Sequence, residues 1–322
     1  MADVFFYEAF EEETKALKRC LKPGISAEFT WKTIQEYGQD KPGAALISIR
    51  TQSIIPVLWA TQISGILTRS SGYDHINAYL GKCKRDIVCG YLPLYCNRAV
   101  AEQTMLLWMA LLRKLPQQMR NFAAFHRDGL TGSECRGKTL LVVGVGNIGY
   151  EIVQIGQGLG MEVFGVDIVR KHHSVRYVSL EEGISRADVI VCAMNLTKDN
   201  INYFDYELLK KAKAGVIFVN IARGEMSPSV DLLRLLEENR LGGAALDVYN
   251  NESQLAVSLR KGASAGDMEV QAVLAMAKLQ NVILTPHNAF NTLESVDRKA
   301  SQSIQQAEHF LKSGNFIWPI PQ

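Results

Sequence analysis

The sequence predicts an α/β protein made of two doubly wound parallel-sheet domains with a cleft between them. Three observations predict it. Short apolar runs alternate with amphipathic stretches through the first hundred residues, a clearer strand–helix–strand series begins at Thr139, and a polar, glycine-bearing linker over 129–138 separates the two. The 322 residues are enough for two domains, each with its own core. In chain order, residues 3–7 read as a strand and 11–21 as a helix, with further strands at 44–49, 63–67 and 86–89. Residues 99–115 form a long helix that is apolar on nearly every side, the pattern of a helix buried between domains or subunits. After the linker come the strand Thr139–Val143, a helix over 148–158 and the strand Glu162–Val166. Strands follow at 189–193, Val216–Asn220 and 244–248, with helices over 206–211 and 230–238. A helix over 271–279 precedes the strand Val282–Leu284, and residues 293–312 make one amphipathic helix.

Composition narrows the function classes. Hydrophobic residues are 47% and charged residues 21%, and the net charge is +2, so neither a nucleic acid nor an anionic membrane is an expected partner. Residues 1–10 lack the basic start and long apolar stretch of a signal peptide. The longest apolar run, 105–112, is far too short to span a membrane. Six cysteines (Cys20, Cys83, Cys89, Cys96, Cys135 and Cys192) show no CxxC spacing, so reduced thiols in a cytoplasmic protein are expected, and no metal site.

The first chemical motif is Gly144-Val145-Gly146-Asn147-Ile148-Gly149, which follows a strand and opens a helix. Gly144 suits a tight turn, Gly146 a close approach of backbone to a pyrophosphate, and Gly149 close helix–strand packing. The helix N-terminus faces the anion. The next strand ends in Asp167, eighteen residues past Gly149, where a carboxylate can bond the adenosine ribose hydroxyls and repel a 2′-phosphate. Strand, glycines, helix, strand and acid together read as a Rossmann/flavodoxin-like site for NAD. Arg170 and Lys171 leave a second reading open, because basic residues just past the acid can hold the 2′-phosphate of NADP.

Three further residues each sit just past an expected strand: Arg223 after Asn220-Ile221-Ala222, Glu252 after Leu246-Asp247-Val248-Tyr249, and His287 after Thr285-Pro286. Open parallel sheets bind ligands at the carboxyl ends of their strands, so these side chains are candidates to converge beside a nicotinamide. Taken singly, each has a plain structural alternative: a surface ion pair, a turn residue, a loop histidine. In these segments, together with the glycine fingerprint and Asp167, the sequence resembles the D-isomer-specific 2-hydroxyacid dehydrogenases along nearly its whole length.

The resemblance implies roles. Arg223 would clamp a substrate carboxylate through its planar fork. His287 would give or take the proton on the substrate oxygen, and Glu252 would hold His287 and favour its protonated form. Asp247 matches a position near the nicotinamide carboxamide, and Asn195 and Ala222 join the cofactor-binding set. Thr68-Arg69-Ser70-Ser71-Gly72-Tyr73-Asp74 is similar to the family loop whose N–H groups bind the substrate carboxylate, with Ser71 and Gly72 as the contacts. Leu92-Pro93-Leu94-Tyr95 and Asn288-Ala289-Phe290 look like D-lactate dehydrogenase segments, in which Tyr95 would reach the carboxylate and Phe290 would wall the pocket. Ordinary core burial is the other reading of both aromatics.

The chain departs from the family at Ser253, Met226-Ser227-Pro228 and Asn195, which leaves the subfamily open. The implied arrangement is a cofactor domain over 98–290 inserted into a substrate domain of 1–97 and 291–322, in a homodimer. The implied reaction is reversible hydride transfer between NADH and a small 2-keto acid, pyruvate first, with larger 2-keto acids, hydroxypyruvate and glyoxylate as alternatives. A related NAD(H)-binding corepressor keeps a similar Arg-Glu-His set and is the alternative of another class. Formate dehydrogenases pair their histidine with glutamine, and Glu252 argues against them.

Overall fold

The computed structural model describes residues 2–261 and 266–321; Met1, residues 262–265 and Gln322 lie outside the described residues, as do the side chains of Ser253, Val257, Arg260 and Lys261. The chain divides into two units, Met1–Cys96 with Asn291–Gln322, and Asn97–Phe290. Among the described residues no helix is long and apolar enough to cross a membrane.

The first unit carries five parallel strands: β1 (Val4–Phe6), β2 (Ala27–Phe29), β3 (Leu46–Ile49), β4 (Gly65–Thr68) and β5 (Val88–Gly90). Their order is β2-β1-β3-β4-β5, so the sheet reverses its direction of growth between β1 and β3. β1, β3 and β4 are buried along their whole length, which is why they read as apolar runs rather than alternating ones. The Glu11–Cys20 helix packs against the Leu293–Ser313 helix from the other end of the chain. The remaining core gathers Phe5, Ile47, Trp59, Ile66 and Ile76.

The second unit carries seven parallel strands: β6 (Thr139–Val143), β7 (Glu162–Val166), β8 (Arg176–Tyr177), β9 (Val189–Cys192), β10 (Val216–Asn220), β11 (Leu241–Leu246) and β12 (Val282–Leu284). Their order is β12-β11-β10-β9-β6-β7-β8, with the reversal between β6 and β9. Both sheets are doubly wound, as the alternating sequence predicts. The core runs from Leu141 and Phe164 through Ile190 and Phe218 to Leu246 and Val273.

Several bounds differ from the sequence reading, and three of them have a clear local reason. The long helix runs Asn97–Leu112, and Lys114 then takes a left-handed turn (φ 51°) before a new helix, Leu115–Asn121, which has Pro116 in its first turn. β11 begins at Leu241 because Gly242 and Gly243 hide its start from an apolar count. The helix expected over 271–279 begins at Met268, where the Asp267 carboxylate accepts from the Glu269 (2.8 Å) and Val270 (3.4 Å) N–H groups.

Candidate active site

The turn after β6 is built by packing on one side and left open on the other. Gly144 has φ +93°, and a Cβ there would come within 2.6 Å of the Ala193–Met194 backbone. A Cβ on Gly149 would lie 1.9 Å from the Gly144 carbonyl oxygen. At Gly146 a Cβ would touch no protein atom, so the fold itself does not demand that glycine. The Asn147–Gly158 helix starts there with no side-chain cap, so its first N–H groups face outward. Asn147 is exposed and Ile148 half-buried. Asp167 stands just past β7. Its Oδ2 accepts from the Val145 N–H (2.6 Å) and its Oδ1 from the Val169 N–H (2.9 Å), which ties the acid to the glycine turn. Ile168 and Val169 are exposed beside it, as are Arg170 and Lys171. Asn195, past β9, is exposed, and its carbonyl accepts from the Asn200 amide (2.8 Å).

Past β12 the chain makes a tight turn in which His287 has φ +50°. Two buried residues past β11 hold it. Asp247 accepts from the Thr285 hydroxyl (2.6 Å) and the Asn288 N–H (2.9 Å) on Oδ1, and from the Ala289 N–H (2.9 Å) on Oδ2. Burial pushes the Asp247 carboxyl up, against these bonds and the nearby His287. The Tyr249 hydroxyl donates to the Leu246 and Thr285 carbonyls (3.1 and 2.7 Å), and burial raises its phenol well above the ordinary value. The imidazole is thereby set against Glu252, with Nδ1 at 3.0 and 2.9 Å from the two carboxylate oxygens and both side chains about 25% exposed. Glu252 is not a turn residue: it opens the Glu252–Lys261 helix, directly after Asn251 in a left-handed conformation.

Arg223 lies past β10 in extended backbone, half-buried, with Nη1 donating to the Ala222 carbonyl (2.9 Å). The wholly buried Asn220 braces this turn. Its amide nitrogen donates to the Arg223 carbonyl (2.9 Å) and the Ser227 hydroxyl (2.7 Å), and its oxygen accepts from the Ala222 N–H (2.9 Å). Arg223, Glu252 and His287 thus follow β10, β11 and β12, three neighbouring strands, at the same end of one sheet. Phe290 closes this unit, buried.

In the first unit, Ser71 and Gly72 follow β4. The Ser71 hydroxyl lies 3.2 Å from the Cys96 thiol, and the Gly72 carbonyl accepts from Ser70 Oγ (2.7 Å). Among the described residues no protein acceptor meets the Ser71 or Gly72 N–H. Tyr95 is buried, its ring 5.8 Å from Lys299 Nζ, and burial raises its phenol far above the ordinary value.

Sequence reasoning did not pick out Asn220 or Tyr249 as supports. Both stood inside the quoted motifs, but their partners become visible only once the turns are folded.

Residues 104–289 match the family described as "D-isomer specific 2-hydroxyacid dehydrogenase, NAD binding domain". The chain belongs to the D-isomer-specific 2-hydroxyacid dehydrogenases. It is 29% identical over 293 residues to a D-lactate dehydrogenase of Streptococcus agalactiae, covering 88% of each chain. It is 31% identical over 261 residues to an aromatic 2-oxoacid reductase of Clostridium sporogenes, covering 78% of this chain and 77% of that one. Among solved structures it is similar to the D-lactate dehydrogenase of Aquifex aeolicus complexed with NAD and lactic acid, with a TM-score of 0.84, 26% identity and 98% of each chain covered. As a member of this family the chain is an NAD-dependent oxidoreductase of D-2-hydroxy acids. The glycine turn fits that cofactor: the one glycine that packing does not require, Gly146, is the one that faces outward beside uncapped N–H groups.

Proposed function

We propose that this dehydrogenase interconverts a small 2-keto acid of the pyruvate type and the corresponding D-2-hydroxy acid. The observation that carries this reading is the His287–Glu252 pair, in which both carboxylate oxygens face Nδ1 and leave Nε2 for a substrate. Gly144, Gly146, Asn147, Ile148, Gly149 and Asp167 are assigned to NAD, with Asn195 and Ala222 beside them. Bound NADH supplies the hydride. His287 gives its proton to the substrate oxygen in reduction and takes it back in oxidation. Glu252 holds the ring and favours the imidazolium. Arg223 grips the substrate carboxylate, its guanidinium carried by a turn that Asn220 makes rigid. In the first unit, Ser71 and Gly72 are assigned to substrate binding because, among the described residues, their N–H groups meet no protein acceptor. Asp247 is assigned to positioning, since its carboxylate is committed to the His287 turn.

The D-lactate dehydrogenase of Streptococcus agalactiae supports the pyruvate type, and the Clostridium sporogenes reductase keeps larger side chains in play. The test is a panel of 2-keto acids with NADH and NADPH, read by loss of the reduced-cofactor absorbance and by chiral analysis of the product. Failure to reduce any 2-keto acid, or an L product, would overturn the reading. The proposal extends to a cytoplasmic homodimer. The free thiols among the described cysteines support the compartment. Leu106, Met119, Phe122 and Phe125, exposed on the Asn97–Leu112 helix and the segment after it, support the dimer. Sedimentation at micromolar concentration tests the assembly.

A further inference from the structure

Thr68 ends β4, and the turn that follows carries Ser71 and Gly72. Its near end is held by Arg69, whose backbone N–H donates to the Ile49 carbonyl (2.8 Å). The Arg69 guanidinium is wholly buried and donates to Glu13 Oε1 (2.9 Å), Ser48 Oγ (3.0 Å) and the Tyr7 carbonyl (2.6 Å). The same Glu13 oxygen meets Lys299 Nζ at 3.0 Å, an ammonium that burial pushes down to about 7. The far end of the turn is closed by a ring. Ser70 Oγ donates to the Gly72 carbonyl (2.7 Å), and the backbone N–H groups of Ser71 and Gly72 both belong to the stretch of chain that this bond encloses.

Ser70 Oγ also lies 2.6 Å from Thr68 Oγ1, and Thr68 Oγ1 lies 2.9 Å from Nε2 of His75, in the first turn of the Asp74–Cys83 helix. Thr68 is wholly buried and Ser70 nearly so. Counting protons fixes the direction of these bonds. Each hydroxyl has one proton to donate. A carbonyl only accepts, so the Ser70 proton lies toward Gly72. The contact between the two hydroxyls then needs the Thr68 proton, which leaves Thr68 Oγ1 only lone pairs to offer His75. Nε2 therefore carries a proton and donates it. The chain runs one way, from His75 to Thr68 to Ser70 to the Gly72 carbonyl.

An acceptor in place of Nε2 would reverse the chain. Thr68 would turn its proton toward position 75, Ser70 would donate to Thr68, and the Gly72 carbonyl would be released. A donor at position 75 keeps the ring shut, and bonds aligned along one chain polarise and strengthen one another. We infer that His75 is a positioning residue that, through Thr68 and Ser70, holds the Ser71 and Gly72 N–H groups in the geometry that binds substrate. The inference rests on the assignment of those two residues to substrate binding in the dehydrogenase reading above. In this role His75 acts only through the turn and exchanges no proton with the substrate.

The experiment compares two substitutions of the same shape. His75→Gln keeps an N–H donor at the reach of Nε2, and His75→Glu offers only acceptors there. The readouts are kcat and KM with NADH for the 2-keto acid that the panel shows to be reduced best, together with the urea midpoint. His75→Gln should keep KM within about threefold of wild type. His75→Glu should raise it about tenfold, with kcat and NADH affinity little changed, because the turn grips ground state and transition state alike. Thr68→Val removes the hydroxyl at nearly constant shape and should raise KM about 3- to 10-fold, and Thr68→Ser should restore it. Val4→Ala, a buried change at the opposite end of the same sheet, should lower the urea midpoint without raising KM. Should His75→Glu fail to fold, the Thr68 pair decides. Equal KM in His75→Gln and His75→Glu, an unmoved KM in Thr68→Val, or a matching rise in Val4→Ala overturns the inference, while turnover of the keto acid leaves the dehydrogenase reading standing. A wild type that reduces no 2-keto acid brings down that reading, and this inference with it.

Discussion

Asp247→Asn separates two roles for a residue that the resemblance places near the cofactor and the structure bonds to the His287 turn. The carboxylate is 1% exposed and accepts three hydrogen bonds, two on Oδ1 and one on Oδ2. Asparagine keeps one oxygen. The less costly orientation leaves that oxygen with Thr285 and Asn288 and turns the amide NH2 toward the Ala289 N–H, donor against donor. One bond is lost and a buried N–H is left without an acceptor, at a cost of about 1–3 kcal/mol. His287 lies between these anchors at φ +50°, so a slackened turn lets the imidazole drift. A displacement of about 1 Å at a reacting group costs about 10²-fold in rate. Urea unfolding should therefore show the stability loss, and kcat/KM with a 2-keto acid should fall about 10²-fold, with NADH affinity little changed. Lost stability with full kcat/KM would refute the positioning role. A tenfold or greater loss of NADH affinity would place Asp247 at the cofactor instead.

Arg223→Lys keeps the charge but loses the planar fork; we expect kcat/KM to fall by about 2–4 kcal/mol in transition-state terms, near the cost of truncating a buried charge pair, with NADH binding unchanged. Near wild-type efficiency would remove Arg223 as the carboxylate clamp. Asp167→Ala removes the repulsion of a 2′-phosphate, so the preference for NADH over NADPH should narrow in kcat/KM, and a wild type that already prefers NADPH would refute the argument. Lys299→Met bears on pH. The folded protein holds the Lys299 ammonium at about 7, below the ordinary 10.5, so between those values the unfolded chain binds the extra proton and stability rises with pH. The variant should lose that rise, read as the shift of the urea midpoint between pH 7 and 9; an identical rise in both proteins would show that Lys299 is not its source.

The parts of the fold that the sequence revealed are those whose determinants are local. β6, β7, β10 and β12 have the expected bounds because each is a largely apolar run cut off by polar or turn residues. The glycine turn is legible because its constraints are steric and fall within six residues. β2 and β8 escaped because strands of three and two residues, none of them buried, carry no period to count. The Glu252–Lys261 helix escaped because a left-handed asparagine precedes it and its sequence, Glu-Ser-Gln-Leu-Ala-Val-Ser-Leu-Arg-Lys, is more than half polar. At the candidate site the residue types were readable and the wiring was not. Asp247 was singled out, yet its partners at 285, 288 and 289 belong to another strand's loop.

The buried charges of the first unit mark where local reading stops. Along residues 293–312 the apolar period gives an amphipathic helix, and a lysine within it reads as part of the solvated face. In the structure Lys299 lies on the buried face with Val296, Ala300, Ser303 and Ile304. What puts it there is Glu13, on the helix at the opposite end of the chain. Burying either charge alone is unfavourable, so neither segment by itself shows the arrangement. Arg19 of the first helix also pairs with Asp297, and Lys22, just past that helix, pairs with Glu308, but solvent screens such contacts and they add little. The buried pair is the stronger constraint on register, because sliding one helix along the other would leave an ammonium in the core without its carboxylate, at about 3–5 kcal/mol. Removing the lysine differs from displacing it, since Glu13 keeps Arg69 at 2.9 Å. Lys299→Met should accordingly fold with little loss of stability at pH 7. A loss as large as that of a broken buried pair would mean that Arg69 alone does not neutralise Glu13.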